Sequence, residues 1–198
     1  NAQLSRAHVR AAEVEIASAD LVLTQLETNL EAVDELKRLA KKHGKTLVVN
    51  PAPFGPVPEG FFEGVDVFTP NETEAEYYSG LAVNTEADAA KAAEKMRELG
   101  VKSVVITMGS RGAYCAGEDE CGMVESPVVK AVDTVGAGDA FTGALCAKLA
   151  EGNKLMDAAR FAACFAALAV TRKGACSAMP TREEAEVFQR EFEATKHK

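Results

Sequence analysis

The chain has 198 residues, 47% hydrophobic and 26% charged, the proportions of an ordinary globular protein with room for one substantial core. Its formal net charge is −8, with Lys and Arg scattered rather than striped, which argues against nucleic acid or an anionic membrane as partner. No apolar run approaches the roughly 20 residues of a membrane span and the first residues show no signal-peptide pattern, while five cysteines without a CxxC pair point to a reduced, cytoplasmic setting.

From Asp20 to Gly109 the pattern alternates between two periods. "LVLTQL" (21–26) has strand character, and "NLEAVDELKRLAKKHG" (29–44) follows with apolar residues at Leu30, Val33, Leu36, Leu39 and Ala40, a helical spacing. Asn29 fits the N-cap and Gly44 the stop after the helix. "TLVVN" (46–50) is the next strand, followed by the Pro-rich loop "PAPFGPVPEG" (51–60). "VDVFT" (65–69), a helix from Glu72, a helix over 86–99 and "SVVIT" (103–107) continue the series. Strands separated by helices predict an α/β fold with a mainly parallel sheet and helices on both faces.

After Gly109 the character changes. "GAYCAG" (112–117), "GMVES" (122–126) and "VVKAV" (128–132) are short runs between turn residues, predicting an antiparallel edge extension of the sheet. Three helices close the chain, over about 137–151, 154–171 and 182–196, the last opening on the capping-box pair Thr181 and Glu184. With no repeat or linker in sight, residues 1–198 read as a single α/β domain. Ligands in such sheets bind beyond the carboxyl ends of the strands. Gln25 to Glu27, Asn50 to Pro53, Pro70 to Glu72 and Gly109 to Gly112 fall just there.

The stretch "AVDTVGAGDAFTG" (131–143) carries the chemistry. Gly136, Ala137 and Gly138 form a turn opening a helix, which presents amide N–H groups to an anion. Asp139 follows at once, a carboxylate that would weaken phosphate binding yet could accept a proton from a hydroxyl attacking that phosphate. Phosphoryl transfer needs positioning and charge stabilisation more than a strong base. The plain alternative is a helix start with a favourable first-turn acid. A P-loop is excluded because no Gly-Lys-Ser/Thr follows, and the dinucleotide fingerprint lacks its third glycine.

"AVDTVGAGDAFTGAL" resembles the second signature of the PfkB family of carbohydrate kinases, most closely its ribokinase branch. "QLET" (25–28), "NPAP" (50–53), "TPNETEAE" (69–76), "ITMGSRGAY" (106–114) and "AVTRKGACSAMPTREE" (169–184) extend the similarity through the chain. The resemblance implies a three-layer ribokinase-like fold and transfer of phosphate from ATP to the primary hydroxyl of D-ribose, giving D-ribose 5-phosphate. Fructokinase, adenosine kinase or a non-catalytic nucleotide-binding module are the alternatives.

By the same resemblance Asp139 is the base, and Gly136, Ala137 and Gly138 form the anion hole. Glu27 would bind a sugar hydroxyl. Thr107, Met108, Gly109, Ser110, Arg111 and Gly112 would contact ATP phosphates and ribose, with Ala163 near the base in place of the His or Asn common in relatives. Asn71 and Glu74 would act on Mg²⁺ with ATP, largely through water, although this pair is also ordinary helix capping. Asp133, Val135, Ala169, Arg172, Gly174 and Ala178 correspond to a potassium (K⁺) loop in which Ala178 replaces a serine ligand. Relatives carry a further N-terminal sugar-binding motif and a lid through which they form homodimers. The expectation is that this chain starts after them and has little activity alone.

Overall fold

The computed structural model describes Asn1 and residues 3–196. The chain divides into two compact units, residues 1–106 with 116–119 and residues 107–115 with 120–198.

The first unit begins with two short helices that the sequence pattern did not announce, α1 (Arg6–Ala11) and α2 (Glu13–Ser18). Each buries one large side chain, Val9 or Ile16, against Ala32 and Leu39 of α3 (Leu30–Lys42). Between them and α3 runs β1 (Leu21–Gln25). Asn29 caps α3 by accepting the Ala32 amide at 3.0 Å, and Gly44 leaves the helix at φ 62°, as the spacing predicts. A buried carboxylate also ties α1 to α3. Glu35, with no exposed side-chain surface, accepts from Arg10 at 2.9 Å and from Arg38 at 2.6 Å. Those guanidinium hydrogen bonds hold its carboxyl down at about 2.

β2 (Thr46–Asn50), β3 (Val67–Phe68) and β4 (Ser103–Thr107) pair in parallel, in the order β1-β2-β3-β4. Leu21 opposes Thr46, Val48 opposes Val67, and Phe68 opposes Val104. β3 is shorter than its apolar run, but backbone bonds extend beyond it: the Asp66 amide donates to the Leu47 carbonyl at 3.0 Å, the Thr69 amide to the Val49 carbonyl at 3.0 Å, and the Asp66 carboxylate takes the Leu47 amide at 2.8 Å. Leu47, Val48, Val49, Phe68, Val104 and Ile106 are all fully buried. Such unbroken apolar strands belong to a sheet covered on both faces. α4 (Glu72–Ser79) and α5 (Glu86–Glu98) pack on each other between β3 and β4.

In the second unit a 3₁₀ turn at Gly109–Arg111 leads to β5 (Ala113–Ala116) and β6 (Cys121–Val124). Four residues connect these neighbours, so they must run antiparallel. The third expected strand, "VVKAV" at 128–132, does not form. Pro127 removes a ladder donor, Val128 stands 97% exposed, and the Val132 amide goes to the Val170 carbonyl at 2.8 Å instead of to a strand. Helices α6 (Ala137–Ala150), α7 (Leu155–Ala169) and α8 (Arg182–Thr195) match the expected positions. Thr181 and Glu184 close the capping box of α8. α6 and α7 pack through small residues, with Ala144, Leu145, Ala158 and Ala162 buried. The fold is thus the α/β class expected, with parallel strands first and an antiparallel pair after them.

Among the described residues, no helix is long and apolar enough to cross a membrane.

Candidate functional site

Gly136 makes the turn into α6. Its φ of 77° is left-handed, and an added Cβ would sit 3.4 Å from the Ala175 Cβ, so a larger residue would strain both backbone and neighbour. The Ala137 amide donates to the Thr134 carbonyl at 3.2 Å and the Ala140 amide to the Gly136 carbonyl at 2.8 Å. No acceptor among the described residues takes the Gly138 amide. Helix N-termini leave such donors open to an anion.

Gly138 also borders a space. A cavity of about 450 Å³ lies within the second unit, lined by Ala137 and Gly138 of α6, by Thr107, Gly109, Ser110 and Gly112, and by Ala163 of α7. The structure therefore brings together three separate stretches singled out from the sequence. None of its described lining residues is charged. Gly138 is helical, and a Cβ added there would meet no protein atom within 4 Å. Packing therefore does not demand glycine at this position, and glycine costs helix stability there.

Gly112 is glycine for a different reason. At φ 103°, an added Cβ would lie 1.9 Å from the Val124 carbonyl oxygen. The Thr107–Gly112 turn is closed by the Met108 amide donating to the Gly112 carbonyl at 2.8 Å. Within the turn, Met108 is buried at 2% exposure, and neither it nor the exposed Arg111 lines the cavity. Asp139 is exposed in the first turn of α6, directly after the lining residue Gly138.

The sequence reading missed much of the cavity wall. Ala166, Ala167 and Val170 continue the Ala163 face of α7, and Val128 and Val129, expected in a strand, line the cavity instead. The helical spacing of the α7 residues was visible, but it is also the spacing of a core stripe.

Below the turn, Asp133 joins two loops. Its carboxylate accepts the Gly174 amide at 3.0 Å and the Val135 amide at 3.1 Å, and these two donors, Gly174 first, hold its pKa below the ordinary range. Its own amide donates to the Val170 carbonyl at 3.2 Å, and the Arg172 amide donates to the Ala169 carbonyl at 3.0 Å. Arg172 forks onto Glu184 at 2.7 and 3.2 Å. Ala178 is buried and contributes no side-chain oxygen, and the neighbouring Ser177 hydroxyl donates to the Lys173 carbonyl at 3.3 Å. The partners recorded for the Asp133 carboxylate are thus backbone amides. The described residues include no cluster of three or more His, Cys, Asp or Glu for a transition metal.

In the first unit, the Gln25 amide donates to Asn50 at 3.3 Å and Asn50 to the Thr69 carbonyl at 2.9 Å, so the carboxyl ends of β1, β2 and β3 are laced together. Asn71 and Glu74 form a complete capping box, with reciprocal bonds of 2.8 and 2.9 Å. Glu74 is 5% exposed, burial raises its pKa, and each of the two side chains already accepts a backbone amide in the capping box. Glu27 is exposed and accepts from Asn1 at 3.0 Å.

Parallel strands, an antiparallel pair and a glycine turn opening α6 onto an apolar cavity define a ribokinase-like α/β protein. The family model described as pfkB family carbohydrate kinase matches residues 1–182. A ribokinase of Haemophilus influenzae is 40% identical over 184 residues, 93% of this chain and 60% of that protein. The solved ribokinase of Arabidopsis thaliana, complexed with ribose and ATP, superposes with a TM-score of 0.86 at 30% identity, over 91% of this chain and 59% of that one. For the crystal structure of a Thermotoga maritima ribokinase the TM-score is 0.84 at 36% identity, over 96% and 62%. The chain belongs to the pfkB family of carbohydrate kinases. It spans about three fifths of the length of these relatives.

Proposed function

We propose that this chain is the nucleotide-binding part of a cytoplasmic sugar kinase that moves the terminal phosphoryl group of ATP to the primary hydroxyl of D-ribose. The cavity holds the nucleotide. The Gly138 amide and its neighbours at the α6 N-terminus face the polyphosphate and offset charge that builds on the transferring group. The sugar oxygen attacks the terminal phosphorus, the bond to the ADP oxygen breaks, and the hydroxyl proton passes to Asp139. A carboxylate suffices as base because the proton leaves late.

Glu27 binds a sugar hydroxyl in this scheme. Asn71 and Glu74 would contact, through water, a Mg²⁺ ion that would offset charge on the ATP phosphates. Asp133 and the backbone of Val135, Ala169, Arg172 and Gly174 would hold a potassium ion, which would supply positive charge near the α6 turn.

The observation that carries the reading is Gly138, a helical glycine with an unclaimed amide and open space where its side chain would be, at the wall of an uncharged cavity. Calorimetric titration of the chain with ATP and with NAD tests it. ATP binding that exceeds NAD binding at least tenfold is expected, and equal or reversed affinities refute the site. In the full-length protein, Asp139→Asn is expected to keep ATP affinity within about threefold and to remove at least 99% of ribose phosphorylation. Unchanged turnover refutes the base.

A further inference from the structure

Resting on the phosphoryl-transfer reading, we propose that the side chains of Arg172 and Glu184 are positioning residues for that reaction, a clamp across the loop 172–181 that keeps the α6 turn in place. Glu184 makes two connections at once. Its Oε2 accepts the Thr181 amide at 2.7 Å, and its two oxygens accept the Arg172 guanidinium at 2.7 and 3.2 Å. Arg172 stands just beyond Val170, the C-cap of α7, and Thr181 is the N-cap of α8. One carboxylate therefore fastens both ends of the loop between these helices. A capping box by itself holds only the start of a helix.

The middle of the same loop backs the α6 turn. The Gly174 amide donates to Asp133 at 3.0 Å, and a side chain at Gly136 would meet Ala175 at 3.4 Å. The rest of the loop is folded on itself. The Ala178 amide donates to the Ala175 carbonyl at 3.0 Å, the Met179 amide to the Cys176 carbonyl at 3.3 Å, and the Ser177 hydroxyl to the Lys173 carbonyl at 3.3 Å. A segment tied internally in this way moves as a piece, so a shift at its ends reaches Gly174 and Ala175.

Stability gives a poor account of the pair. The Arg172 and Glu184 side chains are 36% and 45% exposed, and ion pairs that wet contribute little to folding. A two-pronged guanidinium–carboxylate contact fixes direction as well as distance, and a lysine cannot reproduce it. Direction is what amide donors need when they must meet charge that builds on a transferring phosphoryl group.

Steady-state ribose phosphorylation by the full-length protein, with melting temperatures alongside, tests the clamp. Arg172→Gln is expected to lower kcat roughly tenfold or more while the KM values for ATP and ribose stay within about threefold, because the displaced donors act on the transition state. Glu184→Gln keeps a side chain able to complete the capping box and removes the charge, and is expected to show the same split. The double variant should fall no further than the worse single, since either change opens the same clamp. Arg172→Lys, which keeps the charge without the fork, should recover only part of the loss. Melting temperatures within a few degrees of the parent are expected throughout. Unchanged kcat in both single variants overturns the proposal, as do a rise in KM alone, losses that multiply in the double variant, or full recovery by lysine. So does a drop in activity that only tracks the fraction of protein folded. A parent that does not phosphorylate ribose refutes the kinase reading itself, and this inference falls with it.

Discussion

Gly138→Ala separates what the protein needs for stability from what the site needs for binding. The residue is the second of α6 and helical, and the added methyl meets no protein atom within 4 Å, so the folded state accepts it without a clash. Alanine gives up less backbone freedom on folding than glycine, and the replacement stabilises a compatible helical position by about 0.4–1 kcal/mol. For a chain of this size that raises the melting temperature by roughly 1–4 °C. In the proposed site the added methyl crowds a phosphate seated at the Gly138 amide. Pushing a phosphate off one charge-assisted hydrogen bond costs about 1.5–3 kcal/mol, or roughly tenfold to a hundredfold in affinity. Differential scanning calorimetry with and without ATP measures both quantities in one experiment. The variant should melt higher than the parent without nucleotide and gain less from adding it. A higher melting point with an undiminished ATP shift would show that no phosphate approaches this turn. A lower melting point would refute the helical, unclashed placement of the residue.

The neighbouring turn responds in the opposite sense. Gly112→Ala forces a Cβ to within 1.9 Å of the Val124 oxygen at φ 103°, and is expected to cost about 3 kcal/mol, read as a lowered urea midpoint. In acid, Glu35 and Glu184 dominate the first losses, because Arg10 and Arg172 hold their carboxyls at about 2 against an ordinary 4.5. A lowered folded-state pKa gives stability that is complete above about 4.5 and lost as pH falls towards 2. Urea midpoints between pH 2.5 and 6 should therefore fall steeply in the parent and more gently in Glu35→Gln, and an identical slope would exclude the pair. Thiol titration should label two of the five cysteines in the folded chain, the exposed Cys121 and Cys176. Burial raises Cys115 and Cys164 to about 12 and Cys146 to about 11, so these should react only on unfolding. Asp133→Asn keeps the shape but removes the charge accepting the Gly174 and Val135 amides, and should lower the melting temperature. Under the proposed cation role it should also abolish any melting-temperature gain from KCl over choline chloride.

How far the fold could be read in advance depended on whether a signal was local. Asn29 and Thr181 carry their capping partners within three residues, so the starts of α3 and α8 were visible in the chain itself. α1 and α2 have six residues each and bury one large side chain apiece, too little for a periodicity to register. "VVKAV" has the β-branched composition of a strand, but composition measures fit to a partner surface and here there is no partner: Val128 faces solvent and Val132 pairs with the end of α7. The site divides along the same line. The Gly136–Asp139 turn is a local pattern and was legible. The cavity's α7 wall was not, because Ala158, Ala159 and Ala162 are buried on the same helix, and an alanine facing a ligand looks like an alanine facing the core.

The chain carries a net −8, and none of the described residues lining the cavity is charged, so neither the global field nor a lysine or arginine in the wall draws a polyphosphate inward. In the proposed reaction, attraction then comes from oriented backbone dipoles at short range, and from whatever cation the polyphosphate brings with it. Both demand exact placement, since an amide dipole loses its advantage over water within a few ångströms. The structure invests in that placement. Asp133 pins the loop before α6 to Gly174, Arg172 pins the same downstream loop to Glu184 at the start of α8, and Gly136 packs its bare Cα against Ala175. The ionic groups near the turn thus hold the backbone in position, and the backbone, in the proposed reaction, holds the phosphate.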